Sequence, residues 1–88
     1  MARVLVYMTA ACSYCQAAER LLVKKGITDF EKVRVDLEPA RRAEMQARSG
    51  RDTVPQIWID DRHVGGCDEL YALERSGELD ALLETERT

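Results

Sequence analysis

The tightest constraint on this chain lies in its first 36 residues. Residues 3–7 (RVLVY) are a short β-branched and aromatic run, and residues 30–36 (FEKVRVD) alternate, with Val33 and Val35 on one side. Between them Ala17, Ala18, Leu21 and Leu22 recur at helical spacing, Lys24 and Lys25 stand where a helix C-terminus favours cations, and Gly26 supplies the stop. Two strands joined by a helix pair in parallel, because the helix carries the chain back across the sheet before it can pair again. The first part of the chain therefore reads as a βαβ unit.

The remainder extends the same sheet. Glu38 and Pro39 open a second helix, since proline in a first turn lacks only an N–H that has no partner there. Its inner stripe is read as Ala40, Ala43 and Ala47, with the Arg and Glu residues between them facing water, and Gly50 ends it. Residues 56–59 form a third strand after Pro55, Asp60 and Asp61 turn the chain into a short fourth strand around His63 and Val64, and Gly65 and Gly66 break it. A helix over 68–76 follows, with Leu70, Tyr71 and Leu73 apolar and Gly77 as its cap. Leu79, Leu82 and Leu83 mark a last short helix before a polar tail expected to fray. The expected fold is α/β: one domain spanning residues 1–88, with a four-stranded mixed sheet flanked by helices on both faces.

Length and charge limit what such a domain can do. A chain of 88 residues has room for one core, which buries somewhat over ~60% of the unfolded surface. A net charge of -3 supplies no positive field for nucleic acid or anionic lipid, so neither is an expected partner. Met1, Ala2 and Arg3 lead directly into VLVYM, too short for a signal-peptide core, and no run approaches the ~20 apolar residues of a membrane span. The expectation is a soluble, cytoplasmic protein.

Three cysteines are an odd number, and a reducing cytosol disfavours a permanent disulfide, so Cys12 and Cys15 read as reactive or metal-binding. A free thiol with pKa about 8.5 is only about 3% thiolate at neutral pH, and only the thiolate attacks. At a helix N-terminus the anion meets unpaired N–H donors and about half a positive charge. Lowering a thiol pKa to about 5 raises its thiolate fraction roughly 30-fold but cuts its nucleophilicity roughly 40-fold, so the lasting gain is in leaving-group ability. Such a site favours exchange over storage. Cys12, at the helix start, is read as the attacking thiol, and Cys15, one turn further in, as the enclosed resolving thiol. The alternative is a structural zinc site of Cys12, Cys15, Cys67 and His63. Taken alone, Cys67 reads as a small buried residue and His63 as a solvent-facing strand residue.

Two further runs bear on binding. In TVPQIWI, Pro55 precedes a strand and pushes Val54 into an extended conformation. An ordinary trans proline is one reading; a cis bond would turn outward backbone groups able to pair with an extended peptide beside Cys12. Trp58 is expected in the core. In GGCDEL, two glycines allow close approach, the N–H groups of Cys67 and Asp68 form an anion site, and the Asp68 carboxylate suits an amine or caps the helix.

The motifs YMTAACSYC, TVPQIWI and GGCDEL, in this order and over nearly the whole chain, resemble the glutaredoxins, most closely the small bacterial dithiol members. The resemblance implies a thioredoxin-like fold with Pro55 cis and glutathione as co-substrate. Glutathione would contact Tyr14, Thr53, Val54, Pro55, Gly66, Cys67 and Asp68, with its sulfur at Cys12. The implied activity is reduction of protein disulfides and glutathione mixed disulfides. A second glutathione or Cys15 completes the cycle, and glutathione reductase with NADPH restores the pool. Family potentials of about -200 to -230 mV lie close to the cytosolic glutathione poise, so the substrate decides direction. Two positions depart from the family pattern. Ser13 replaces the usual proline, and similar CSYC members can hold a 2Fe-2S cluster between two subunits, each giving Cys12, whereas a monomer is otherwise expected. Thr9 replaces a lysine, removing one cation that would hold the thiolate and the glycine carboxylate of glutathione; Arg41, Arg42 and Arg51 are candidates to replace it.

Overall fold

Strand β1 (Val4–Met8) runs through the middle of the sheet because it is apolar on both sides: Val4, Val6 and Met8 enter one core cluster, while Tyr7 and Leu5 belong to the other. In the computed structural model, which describes residues 3–84, the strand order is β2-β1-β3-β4. Strand β2 (Glu31–Arg34) pairs in parallel with β1, setting Tyr7 opposite Val33. The expected crossover is α1 (Ser13–Lys24). Strand β3 (Gln56–Ile59) lies antiparallel on the other side of β1, with Leu5 opposite Trp58, and β4 (Arg62–Gly65) continues from it with Trp58 opposite His63. The hairpin between them turns at Asp60, whose φ of 55° is the left-handed conformation that a tight turn requires.

Helices cover both faces, as expected from the sequence. On one face α1, α3 (Cys67–Ser76) and α4 (Glu78–Leu83) bring Ala18, Leu22, Leu70 and Leu79 against Val4, Val6, Ile57 and Ile59. On the other, α2 (Pro39–Ser49) sets Met45 against Tyr7, Val33, Val35 and Trp58. Helix α3 begins at Cys67, one residue ahead of the expected start. The polar tail lies beyond the described residues.

The inner stripe of α2 differs from expectation. Ala40, Ala43 and Ala47 are exposed, and the side turned to the sheet carries Arg41, Glu44, Met45 and Arg48, which follow the same helical spacing. The reason is what the sheet offers on that side. Tyr7 directs its hydroxyl at the Glu44 carboxylate, Arg48 Nη1 donates to the same hydroxyl at 2.9 Å, and the Arg48 guanidinium lies 4.4 Å above the Trp58 ring. Burial, then the Glu44 bond, holds the Tyr7 phenol above its ordinary pKa, so it stays protonated. An aromatic hydroxyl and an indole face accept charged partners with long apolar stems, which alanine cannot supply.

Met45→Ala is therefore expected to cost about 2–5 kcal/mol by urea denaturation, whereas Ala43→Ser stays within about 0.5 kcal/mol. The reverse order would restore the alanine stripe.

Candidate functional site

Two thiols separated by one helical turn end up in unlike surroundings. Cys12 is the N-cap of α1, with φ -97° and ψ 114°, and its Sγ accepts the Cys15 N–H at 3.3 Å. It is partly exposed, and its Sγ lies 3.8 Å from the Val54 carbonyl oxygen. Cys15 points into the core between α1 and the sheet and is 0% exposed. Burial, chiefly, pushes the Cys15 thiol up to about 12; the Cys12 sulfur and the Glu19 carboxylate act in the same direction, against a backbone hydrogen bond at Thr9. The Cys67 thiol is also raised, first by burial and then by Asp68. One sulfur is accessible; the other two keep their protons.

Beside Cys12 runs a groove. Tyr14, 63% exposed, forms one wall, and the loop of Thr53, Val54 and Pro55 forms another. The third is the start of α3 at Gly66, Cys67 and Asp68. The Val54–Pro55 bond is cis. All seven residues that the family resemblance implies for glutathione line one groove, with Cys12 at its margin. Gly66 stands at a close approach, where a Cβ would meet the Pro55 carbonyl oxygen at 3.3 Å.

The cap of α3 corrects one expectation. Asp68 does not cap the helix; Gly66 is the N-cap, and Glu69 Oε1 folds back to accept its N–H at 2.6 Å. Gly65, at φ 114°, makes room for this, since a Cβ there would stand 2.6 Å from Glu69 Oε1. The same oxygen accepts Arg51 Nη1 at 3.2 Å, which brings a cation to the groove. Asp68 is left exposed at the second position of the helix, where N–H groups have no helical partner. Of the three candidate arginines, Arg42 is bound to the Asp52 carboxylate at 2.9 Å and Arg41 to Glu44 at 3.2 Å on the α2 side. Only Arg51 of the three lines the groove.

Glu69 also lines it, and Gln56 lies behind the Thr53–Pro55 wall with its side chain fully buried; neither was anticipated. Each had a signal: Gln56 is the one polar residue in a strand of apolar ones, and Glu69 stands three residues after Gly66, as a capping box requires.

His63 is only partly open to solvent and does not face the thiols. It is half-buried on the α2 side, its Nε2 2.8 Å from Gln56 Oε1 and its ring stacked 4.4 Å from Trp58. Cys15 and Cys67 belong to the opposite cluster, so strand alternation separates His63 from the proposed zinc set. Among the described residues no group of three or more His, Cys, Asp or Glu side chains could hold a metal ion. With a single accessible thiol, one chain does not fit a resident zinc ion, and a cluster shared between two subunits would draw on Cys12 alone from each.

Known proteins share the sequence and fold of this chain. The glutaredoxin family model matches residues 4–64. A glutaredoxin of Pseudomonas aeruginosa is 54% identical over 83 residues, covering 94% of this chain and 98% of that protein. Among solved structures, the solution structure of glutaredoxin from Brucella melitensis matches with a TM-score of 0.84 at 50% identity, covering 100% of this chain and 95% of that one. The crystal structure of a buckwheat glutaredoxin–glutathione complex matches with a TM-score of 0.85 at 28% identity, covering 93% and 76%.

Two outcomes follow from the unequal thiols. Brief iodoacetamide treatment at neutral pH should label Cys12 ahead of Cys15 and Cys67 in peptide mass maps, and equal labelling of Cys15 would contradict the burial. Because the fold holds the Cys15 proton more tightly than the unfolded chain does, its contribution is complete below pH 9.0 and is lost as pH rises toward about 12. Urea denaturation should show the wild type losing stability relative to Cys15→Ala across that window, and parallel curves would refute the assignment.

Proposed function

Because the chain belongs to the glutaredoxin family and so catalyses thiol–disulfide exchange, we propose that glutathione is its co-substrate, with Cys12 the attacking thiolate and Cys15 the resolving thiol. The observation that carries this reading is the contrast within one turn of helix. Cys12 is accessible and receives an N–H, whereas Cys15 is sealed and keeps its proton.

The Cys12 thiolate attacks the glutathione sulfur of a protein mixed disulfide. The S–S bond breaks, the protein thiolate leaves and takes up a proton, and glutathione remains on Cys12. A second glutathione thiolate then attacks that sulfur, forming glutathione disulfide and returning Cys12 as thiolate. For a protein disulfide, Cys12 attacks one sulfur and Cys15 completes the exchange. Once Cys12 is in a disulfide, the negative sulfur that helped hold the Cys15 proton is gone. Cys15 then gives up its proton more readily, attacks Cys12 Sγ and releases the second substrate thiol. Two glutathione molecules reduce the resulting Cys12–Cys15 disulfide.

Glutathione would lie along the groove. Its cysteinyl backbone pairs with Val54 beside Thr53, with Tyr14 and Pro55 as walls, and Gly66 lets its backbone approach. The γ-glutamyl carboxylate meets the N–H groups of Cys67 and Asp68, and the amine meets the Asp68 carboxylate. Arg51 takes the glycine carboxylate in place of the lysine that Thr9 lacks. Three free thiols suit a reducing cytoplasm, where the substrates are glutathionylated or disulfide-bearing proteins.

The test is reduction of a glutathione mixed disulfide by protein purified without oxygen. Cys12→Ser should fall to background while Cys15→Ser retains the route that uses glutathione alone; equal loss in both would refute the division of labour. Arg51→Ala should raise KM about 10-fold, the loss of one charge-assisted hydrogen bond. A brown protein active only with iron would contradict the reading.

A further inference from the structure

Strand β3 buries one polar side chain completely, and it is Gln56. A buried amide is tolerated only where its hydrogen bonds are made, so its partners indicate what it does. Both N–H bonds of its Nε2 go to one residue: to the Thr53 carbonyl oxygen at 3.0 Å and to Thr53 Oγ1 at 3.3 Å. This orientation leaves Gln56 Oε1 as an acceptor, so the imidazole nitrogen 2.8 Å away, His63 Nε2, carries a hydrogen. His63 is held in turn by Trp58, stacked at 4.4 Å and 27°, and Trp58 lies under the Arg48 guanidinium with its ring 5.5 Å from that of Tyr7.

The consequence falls on the groove. The Thr53 carbonyl is tied to Gln56 and does not compete for a ligand. Thr53 Oγ1 already accepts from Gln56, so its hydroxyl hydrogen is the part left for the open side, where Thr53 is exposed. Thr53 therefore meets an occupant as a donor, next to the Val54 backbone, whose carbonyl oxygen lies 3.8 Å from Cys12 Sγ.

We propose that Gln56, oriented by His63, is a positioning residue that fixes the Thr53–Val54 edge of the groove and turns the Thr53 hydroxyl into a donor for an acceptor group on the bound thiol peptide. The proposal rests on the glutathione reading above. It assigns a binding role to a network on the α2 face, the side of the sheet away from both thiols of the CSYC motif.

Steady-state kinetics with a glutathione mixed disulfide test it. Gln56→Leu, of similar size but unable to donate, should raise KM about 10-fold, with kcat and the rate of Cys12 alkylation unchanged. His63→Ala should raise KM in the same direction by about 3-fold, because the amide stays but loses the partner that orients it. Combined with Thr53→Ala, either change should raise KM less than it does alone, since the part transmitted through that hydroxyl is already gone and only the hold on the Thr53 carbonyl remains. If Gln56→Leu does not fold, the cycle of His63→Ala with Thr53→Ala decides. Folded variants with unchanged KM, equal losses in KM and kcat, or full additivity with Thr53→Ala would overturn the proposal and leave the glutathione reading standing. A wild type unable to reduce the mixed disulfide would overturn both.

Discussion

The N–H of Cys15 reaching the sulfur of Cys12 at 3.3 Å is the contact on which the rest of the molecule depends. It exists because α1 starts after a four-residue connection from β1 with a cysteine as its N-cap, so the sulfur stands where helices normally place a serine or aspartate oxygen. The unpaired donors of the first turn favour negative charge there. The same turn carries the second thiol inward, into a layer where charge is costly. A spacing of three residues thus yields two different reagents from one amino acid type.

The sheet divides the remaining work between its faces. The face under α1, α3 and α4 is apolar and contains the buried thiols, as an inert backing for the helix start should. The face under α2 is partly polar, with Glu44, Tyr7, Arg48, Trp58, His63 and Gln56 in contact one with the next. Strand β3 joins the two, because it begins at the cis-proline loop of the groove and sends alternate side chains to opposite faces. A polar network on the face opposite the buried sulfurs therefore reaches the groove within three residues of Gln56.

Much of this was legible in the sequence, and the exceptions have a common cause. Strand and helix periodicity, Pro39 at a helix start and glycines at helix ends are local signals, and the elements lie within one or two residues of where those signals put them. Val54, Pro55, Gly66, Cys67 and Asp68 were legible because two short motifs carry a backbone requirement, whereas Tyr14 and Thr53 came from the family resemblance. The stripe of α2 was not, because alanine is apolar and arginine charged, and only the Tyr7 hydroxyl and the Trp58 ring across the layer make arginine the better inner residue. His63 was only partly legible for a related reason: alternation tells which face a strand residue joins, and only the packed structure shows its ring stacked on Trp58 and tied to Gln56. Choosing Arg51 over Arg41 and Arg42 likewise required knowing which of the three, each paired with a carboxylate, stands at the groove.

The central claim concerns a single hydrogen bond, and nuclear magnetic resonance can follow it directly. A pH titration of the Cys15 amide should show its nitrogen and proton shifts moving in step with ionisation of the Cys12 sulfur, and that step should vanish in Cys12→Ser. An amide indifferent to the charge on Cys12 would mean that the helix start does not hold that sulfur, and the account built on it would fail.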